Sequence, residues 1–314
     1  MTNAALRERD RVEGSDASPD LSIVIPSVNG SEPLRETLAA LQAQSADASL
    51  EVLVPERCGP EVRNTIEKEF PRARIIPVEP ATPIPIMRHY AFQEARGTSV
   101  AVIEDHVIVD EDWVDRILAA RGDGADVVGG SVYNAATDTL LDRAAFLCEY
   151  SHDLNPREAT ETSALPGNNV AYDRELLSEL QSVTSEGRWE DHLHQAMHDR
   201  SARMVFQPEI RAGHKMHYQS AAEYAEQRLL YSRAFSAMRL ADSGLVPRVG
   251  YAVATIVLPL VLAVRILSRA WRGGTPAIEL VRSLPYILYF VSAWAAGEAA
   301  GALFGAGDAL GRVR

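Results

Sequence analysis

Ser99-Val-Ala-Val-Ile-Glu-Asp-His-Val-Ile-Val-Asp-Glu-Asp-Trp113 is the stretch that decides how this chain is read. Residues 100–103 are small and β-branched, the pattern of a buried strand. The run stops on three polar side chains, Glu104, Asp105 and His106. Two carboxylates and an imidazole are costly in a core, so at the end of a buried strand they face a cleft. In open α/β sheets that edge is where ligands bind. Carboxylate and imidazole donors suit a divalent cation, Mn2+ or Mg2+. A cation at such an edge suits a diphosphate, and so a transferase that uses a nucleotide-activated donor.

Working outward, the N-terminal side alternates. Residues 21–25 read as a strand closed by Pro26, and 26–33 as a loop. Leu34, Leu38 and Leu41 recur at helical spacing. Strands at 50–54 and 74–78 then alternate with helices at 62–70 and 87–94. This order predicts an α/β fold, a mostly parallel sheet flanked by helices. On the C-terminal side, strands are expected at 126–132 and 203–206, and helices at 140–150, 173–180 and 221–239. Asp173 is a candidate N-cap, 164–171 a turn entering a short strand, and Trp189-Glu190-Asp191 the opening of a further helix. Residues 1–20 read as a solvated, disordered tail without the apolar stretch of a secretion signal.

The chain has 314 residues, 46% of them hydrophobic and 24% charged, enough for one large domain and an appendage. A net charge of −12 argues against nucleic acid as a partner. Two cysteines, Cys58 and Cys148, make no disulfide framework and fit a reducing compartment.

Taken together, residues 21–239 resemble family 2 glycosyltransferases of the GT-A fold. Pro26-Ser27-Val28-Asn29 is similar to the family's first nucleotide-contacting loop. Arg88 stands where the family has an arginine facing the diphosphate, and Glu104-Asp105-His106 where it has an Asp-X-Asp metal motif. Gly167-Asn168-Asn169 resembles the acceptor-side turn, which Trp189 joins, and Trp189-Glu190-Asp191 resembles the Glu-Asp motif of the catalytic base. The resemblance implies an enzyme that moves a sugar from a UDP- or GDP-linked donor to an acceptor hydroxyl, with inversion. Pro26, Ser27, Asn29, Glu56, Arg88, Glu104 and Asp105 would contact the nucleotide sugar. Asp105 and His106, with His214 or His217, would hold the cation, and Asp191 with Glu190 would be catalytic. There are three departures. The metal motif ends in His106, whose neutral imidazole favours Mn2+ over Mg2+. Glu56 stands in for the Asp that usually closes the second strand. Gln227-Arg228-Leu-Leu-Tyr231 only partly echoes the Gln-X-X-Arg-Trp sequence of processive synthases.

The chemistry is coherent on its own terms. Negative charge grows on a departing diphosphate, and a cation stabilises it without moving a proton. A carboxylate at a helix N-terminus stays ionised and can take the proton of an attacking hydroxyl. His194 and His198 share a helix face with Asp191 but have no cysteine partner for zinc, so they read as a polar cleft wall or solvated stripe. Two alternatives remain: a catalytically impaired membrane scaffold of the same fold, and a nucleotidyltransferase. The latter normally needs a basic, glycine-rich first loop, and 26–33 has neither Arg nor Lys.

After Pro247 the composition turns apolar. Residues 249–264 carry no charge, and 284–304 only Glu298. The first stretch is short for a straight span, and arginines flank it on both sides. The expectation is a sugar-transfer domain at 21–245 and a membrane-associating helical pair at 246–314. The pair would be re-entrant or interfacial on the cytoplasmic face of the cell membrane, near a lipid-linked or envelope glycan acceptor. The glycines at 305–311 lack a preceding strand, so they read as small residues at a helix contact rather than a phosphate loop.

Overall fold

The structure, a computed structural model, describes residues 18–152, 154 and 158–314. The tail expected at 1–20 lies outside the described residues except for its last three.

The first half alternates as the sequence pattern predicts. It runs β1 (Leu21–Val24), α1 (Ser31–Gln42), β2 (Leu50–Glu56), α2 (Pro60–Glu69), β3 (Ala73–Pro77), α3 (Ile84–Glu94) and β4 (Ser99–Ile103). These strands lie side by side, all parallel, in the order β3-β2-β1-β4. Every residue of β1 and β4 is buried, which is why both read as unbroken apolar runs. The chain leaves β1 toward one side and β4 toward the other. The crevice this opens at their carboxyl ends lies between residues 26–30 and 104–106.

The second half folds back. It comprises β5 (Val107–Val109), α4 (Trp113–Gly122), β6 (Val127–Asn134), α5 (Leu140–Tyr150), β7 (Thr160–Glu161), β8 (Asn169–Asp173), α6 (Arg174–Glu179), α7 (Gln181–Thr184), α8 (Glu190–His198), β9 (Met204–His214) and α9 (Ala221–Arg239). β8 enters antiparallel between β4 and β6, β9 runs parallel to β6, and β5 pairs antiparallel with the end of β9. The helix expected at 173–180 is two short ones; Asp173 does cap the first, accepting from the Leu176 N–H at 2.9 Å.

The last strand runs far beyond its predicted end at 206. Pro208 cannot donate to a ladder, so the sequence pattern stops there. The chain instead bulges opposite Ser131, and pairing resumes at Val132 with Ala212. Asn169 fills the bulge. Its Nδ2 donates to the Ser131 and Ile210 carbonyls at 3.1 and 2.9 Å, and its Oδ1 accepts from Trp113 Nε1 at 2.8 Å. Because the strand continues, His214 is delivered to the crevice.

The C-terminal helices pack on this frame. α10 (Leu245–Ala254), a 3-10 turn (Thr255–Val257) and α11 (Leu258–Arg272) form one helical run of 28 residues, longer than the charge-free stretch that marked it. α12 (Ala277–Phe304) follows, then α13 (Ala309–Arg312). Both long runs have the length and composition to cross a membrane. α12 is also bound to the sheet domain, sharing a buried cluster that includes Leu147 of α5, Tyr224 of α9, Ile266 of α11 and Phe290. The small-residue contact lies at Gly297 and Gly301, where a Cβ would overlap the Leu229 and Arg233 carbonyls of α9. Residues 305–311 also pack on α9, with Ala309 buried beside Leu230 and Ala234, and reach the loop after β2, where Arg57 donates to the Gly311 carbonyl at 3.2 Å. Glu298 is buried, accepting from Tyr251 Oη and, at 3.0 Å, from Trp294 Nε1. That is how the apolar helix accommodates it.

A buried carboxylate paired with an exposed arginine joins the starts of β1, β2 and β4. Glu51 accepts from Ser22 Oγ at 2.7 Å, from the Arg96 N–H at 3.0 Å and from Arg96 Nε at 2.8 Å. Burial opposes its charge, but these bonds outweigh burial and hold the carboxyl below its ordinary value. A depressed folded pKa gives stability that is present above the unfolded value and is lost as pH falls through the folded one. Glu51→Gln should therefore cost about 1.5–3 kcal/mol at neutral pH. In thermal melts the gap to wild type should narrow below the ordinary glutamate range.

Candidate active site

The crevice is built around Asp105. Its side chain is 1% exposed, and both oxygens are engaged. Oδ2 accepts from the Val28 and Asn29 N–H groups at 2.6 and 2.8 Å. Oδ1 accepts from Asn29 Nδ2 at 2.8 Å and from His106 Nδ1 at 2.9 Å. Burial opposes the charge, but the His106, Asn29 and Val28 bonds prevail and keep the carboxyl below its usual range. Asp105 thus ties the loop after β1 to the tip of β4. This corrects the reading of Asp105 as a cation ligand, because its lone pairs are already used.

His106 is held by that bond with Nε2 pointing inward. Nε2 lies 2.9 Å from His214 Nε2 and 3.5 Å from Glu104 Oε2. Burial opposes protonation of His106, but Asp105 and Glu104 raise its basicity. Burial, then the charge of His106, makes His214 far less basic. The structure separates the two candidates that the sequence left open. His214 joins the cluster, whereas His217 turns away to Asp142, 3.0 Å from its carboxylate.

Glu104, His106 and His214 offer three ligand atoms within 4.8 Å of one another. The set fits a divalent cation. Two ligands about 2.1 Å from an octahedral ion and at right angles are about 3 Å apart, close to the 2.9 Å between the two nitrogens. Asp105 behind His106 is the carboxylate that metal-bound histidines typically carry. Glu104 also accepts from Tyr150 Oη and Asn168 Nδ2, both at 3.3 Å.

A second group of residues faces Glu104 across a cleft of about 300 Å³. Trp189 precedes α8 and stacks on Tyr231 of α9, ring centroids 4.5 Å apart. Glu190 opens α8, where the helix dipole favours a carboxylate. Its Oε2 is paired with buried Arg88 at 2.9 Å. A Cβ at Gly167 would overlap the Glu190 carboxylate and force it to shift. Asp191 also lines the cleft, but it is half exposed and bonded to His192 at 3.0 Å rather than to an arginine.

Other expectations are redistributed. Asn168 lines the cleft, with Oδ1 buried and unpartnered. Asn169 does not, because it clips the bulge. Glu56 is buried, its Oε1 accepting from the Gly59 N–H at 2.7 Å and its Oε2 lying 3.2 Å from Arg63 Nε. Pro26 and Ser27 sit in the loop beside it, Ser27 bonded to Pro55 O and bridging to Glu56. His194 is core rather than cleft wall. It is bonded to Tyr172 Oη at 3.0 Å, and burial lowers its pKa to about 4. Sequence reasoning missed Tyr150 and Glu149 on α5 and Trp294 on α12, all in the cleft. Arg228 and Tyr231 are there too, so the partial Gln-Arg-Leu-Leu-Tyr echo was the one signal available.

Comparison with known proteins bears on the family and the fold. Residues 22–181 match the family model described as "Glycosyl transferase family 2". The mannosyltransferase PcManGT from Pyrobaculum calidifontis, solved with GDP-Man and Mn2+, superposes with a TM-score of 0.52 at 15% identity, over 94% of this chain and 93% of that one. S. aureus TarS, residues 1–349, gives a TM-score of 0.48 at 15% identity over 90% of each chain. At such identity the first likeness concerns the fold. No curated protein matches the sequence significantly.

The ligand assignment has a direct check. In Mn2+ titrations read by electron paramagnetic resonance, His106→Ala and His214→Ala should each weaken binding by about tenfold or more, and His217→Ala should leave it unchanged.

Proposed function

The chain belongs to glycosyl transferase family 2, and from that premise we propose that it moves a sugar from a UDP- or GDP-linked donor to an acceptor hydroxyl, with inversion. A Mn2+ or Mg2+ ion would be held by Glu104, His106 and His214. The observation that carries the reading is that Glu104 of this cluster and the Glu190-Asp191 pair line one cleft. A sugar bridging them has its leaving group at one end and its acceptor at the other.

The chain's own groups divide the work. The cation, when bound, neutralises charge on the departing diphosphate. Arg88 adds a second, fixed positive charge between Glu104 and Glu190. Asn29 and the N–H groups of residues 28 and 29 are spent on Asp105, so that loop's role is to shape the donor side. Glu190 is neutralised by Arg88 and positions it. Among the described residues Asp191 has no arginine partner; it takes the proton of the attacking hydroxyl. Trp189 and Tyr231 supply a stacked aromatic wall for the acceptor.

The long apolar helices support attachment at the cytoplasmic face of the membrane, with a glycan or lipid-linked glycan as acceptor. The row Val253, Ile256, Val257, Leu260, Val261 and Val264 is 53–78% exposed, more aliphatic surface than water tolerates without a partner.

The test separates donor from acceptor roles. Mn2+-dependent diphosphate release should be measured across UDP- and GDP-sugars with the full chain in detergent. Asp191→Asn should lower kcat by about 10²–10⁴ and leave donor KM nearly unchanged. Arg88→Lys should raise donor KM and lower kcat together. Unchanged turnover in Asp191→Asn would remove it as the base, and Glu190→Gln then decides whether its neighbour acts.

A further inference from the structure

After α12 the chain turns back over the mouth of the parallel half of the sheet. Gly305 and Gly307 make the turn with φ of +78° and +56°, a region that side chains disfavour. The segment that follows seats on the carboxyl ends of the first strands. Ala309 and Val313 are buried there in one cluster with Ile84 and Met87 of α3, Val28 of the loop after β1 and Val78 of the loop after β3. In open α/β sheets ligands bind at that edge, so a donor's nucleoside has to lie where these side chains pack. A cavity of about 380 Å³ remains beside them, lined by Val28, Arg57, Pro80, Leu230, Gly311 and Arg312. Val28 is also bonded to Asp105 through its N–H, so the cavity adjoins the support of the cation cluster.

Arg57 holds the segment down. It is buried, and its Nη1 donates to the Thr82 and Gly311 carbonyls at 2.8 and 3.2 Å and its Nη2 to the Val313 carbonyl. Among the described residues no carboxylate pairs with it. A buried cation met only by carbonyl dipoles is under-compensated, and an anion answers it better. The remaining ties are weak. Arg312 pairs with Glu226 at 2.6 Å and Arg314 with Glu223 at 3.7 Å, in partly exposed positions where ion pairs stabilise little.

We propose that residues 309–313 are a strap that keeps the donor's nucleoside face shut, and that a nucleoside diphosphate enters by displacing the strap and taking over Arg57. The exchange favours the donor at that residue, because a diphosphate brings the negative charge that the Gly311 and Val313 carbonyls lack. The strap swings about Gly305 and Gly307. Its seat is apolar and its ion pairs are at the surface, so lifting it breaks no buried ion pair. The ligand's identity rests on the glycosyltransferase reading, while the strap's motion is measured apart from turnover. A strap that served as a fixed wall of the pocket would behave in the opposite way, growing stiffer when nucleotide binds.

Hydrogen exchange and calorimetry on the full chain in detergent, with Mn2+ and UDP or GDP, test the strap. Amides 309–313 should exchange about threefold faster or more when nucleotide is bound. Gly305→Ala strains the seated turn without meeting any neighbour, and should tighten nucleotide binding about fivefold. Val313→Asp places a charge in the buried seat and should tighten it about tenfold or more; where that variant does not fold, Gly305→Ala and the exchange measurement decide. In the Gly305→Ala chain, Arg57→Gln should weaken binding about tenfold, and unaltered affinity there overturns the role given to Arg57. Exchange at 309–313 that is unchanged or slower with nucleotide bound, or affinity that Gly305→Ala leaves unchanged or weakens, overturns the strap and leaves the enzymatic reading standing. Failure of both nucleotides to bind any of these chains overturns the enzymatic reading itself.

Discussion

The site depends on one buried carboxylate. Asp105 gathers four hydrogen bonds from the loop after β1 and from the imidazole beside it. A charge this deeply buried is tolerable only because every lone-pair direction is met. The arrangement does two things. It locks the two sides of the crevice together, and it fixes the His106 ring so that Nε2 faces His214. A ligand held in one rotamer loses little freedom when a cation arrives, which is the value of a supporting carboxylate behind a histidine.

The same logic runs through the rest of the cleft. Arg88 is buried, and Glu190 balances it. Arg228 is matched by Glu149 and the Trp294 face. Each of these charges is held by a neighbouring group that lines the same cleft. Preorganised dipoles of this kind stabilise charge as it develops without having to move first. The aromatic stack from Trp189 through Tyr231 to Trp294 ties α8, α9 and α12 into one wall. Through Trp294, α12 therefore completes the cleft.

Much of this was legible in the residues. The alternation from Leu21 to Ile103 gives the parallel half of the sheet, because local periodicity and burial agree there. The polar tip at 104–106 marks the cleft through Glu104 alone; Asp105 and His106 are buried behind it, where their charge and dipoles are met by hydrogen bonds. What periodicity cannot carry is which member of a polar triplet points where. Asp105 reads in sequence as a ligand, but its oxygens are bonded to the loop after β1, including Asn29, 76 residues away in sequence. Asn169 looked like a contact for substrate and proved to be a clip for a bulge. That bulge, forced around Pro208, also hid the last turn of β9 and so the arrival of His214. Glu149, Tyr150 and Trp294 sit on helices whose patterns are those of ordinary packed helices, and only the tertiary fold brings them to one space.

The central claim is that Glu104, His106 and His214 hold the cation and that Asp105 only supports them. Anomalous diffraction from crystals grown with Mn2+ and a nucleoside diphosphate measures this directly. The predicted result is a single strong peak about 2.1 Å from both Nε2 atoms and in reach of Glu104, with Asp105 still bonded to Asn29. A peak bound by Asp105, or one lying away from both imidazoles, would contradict it.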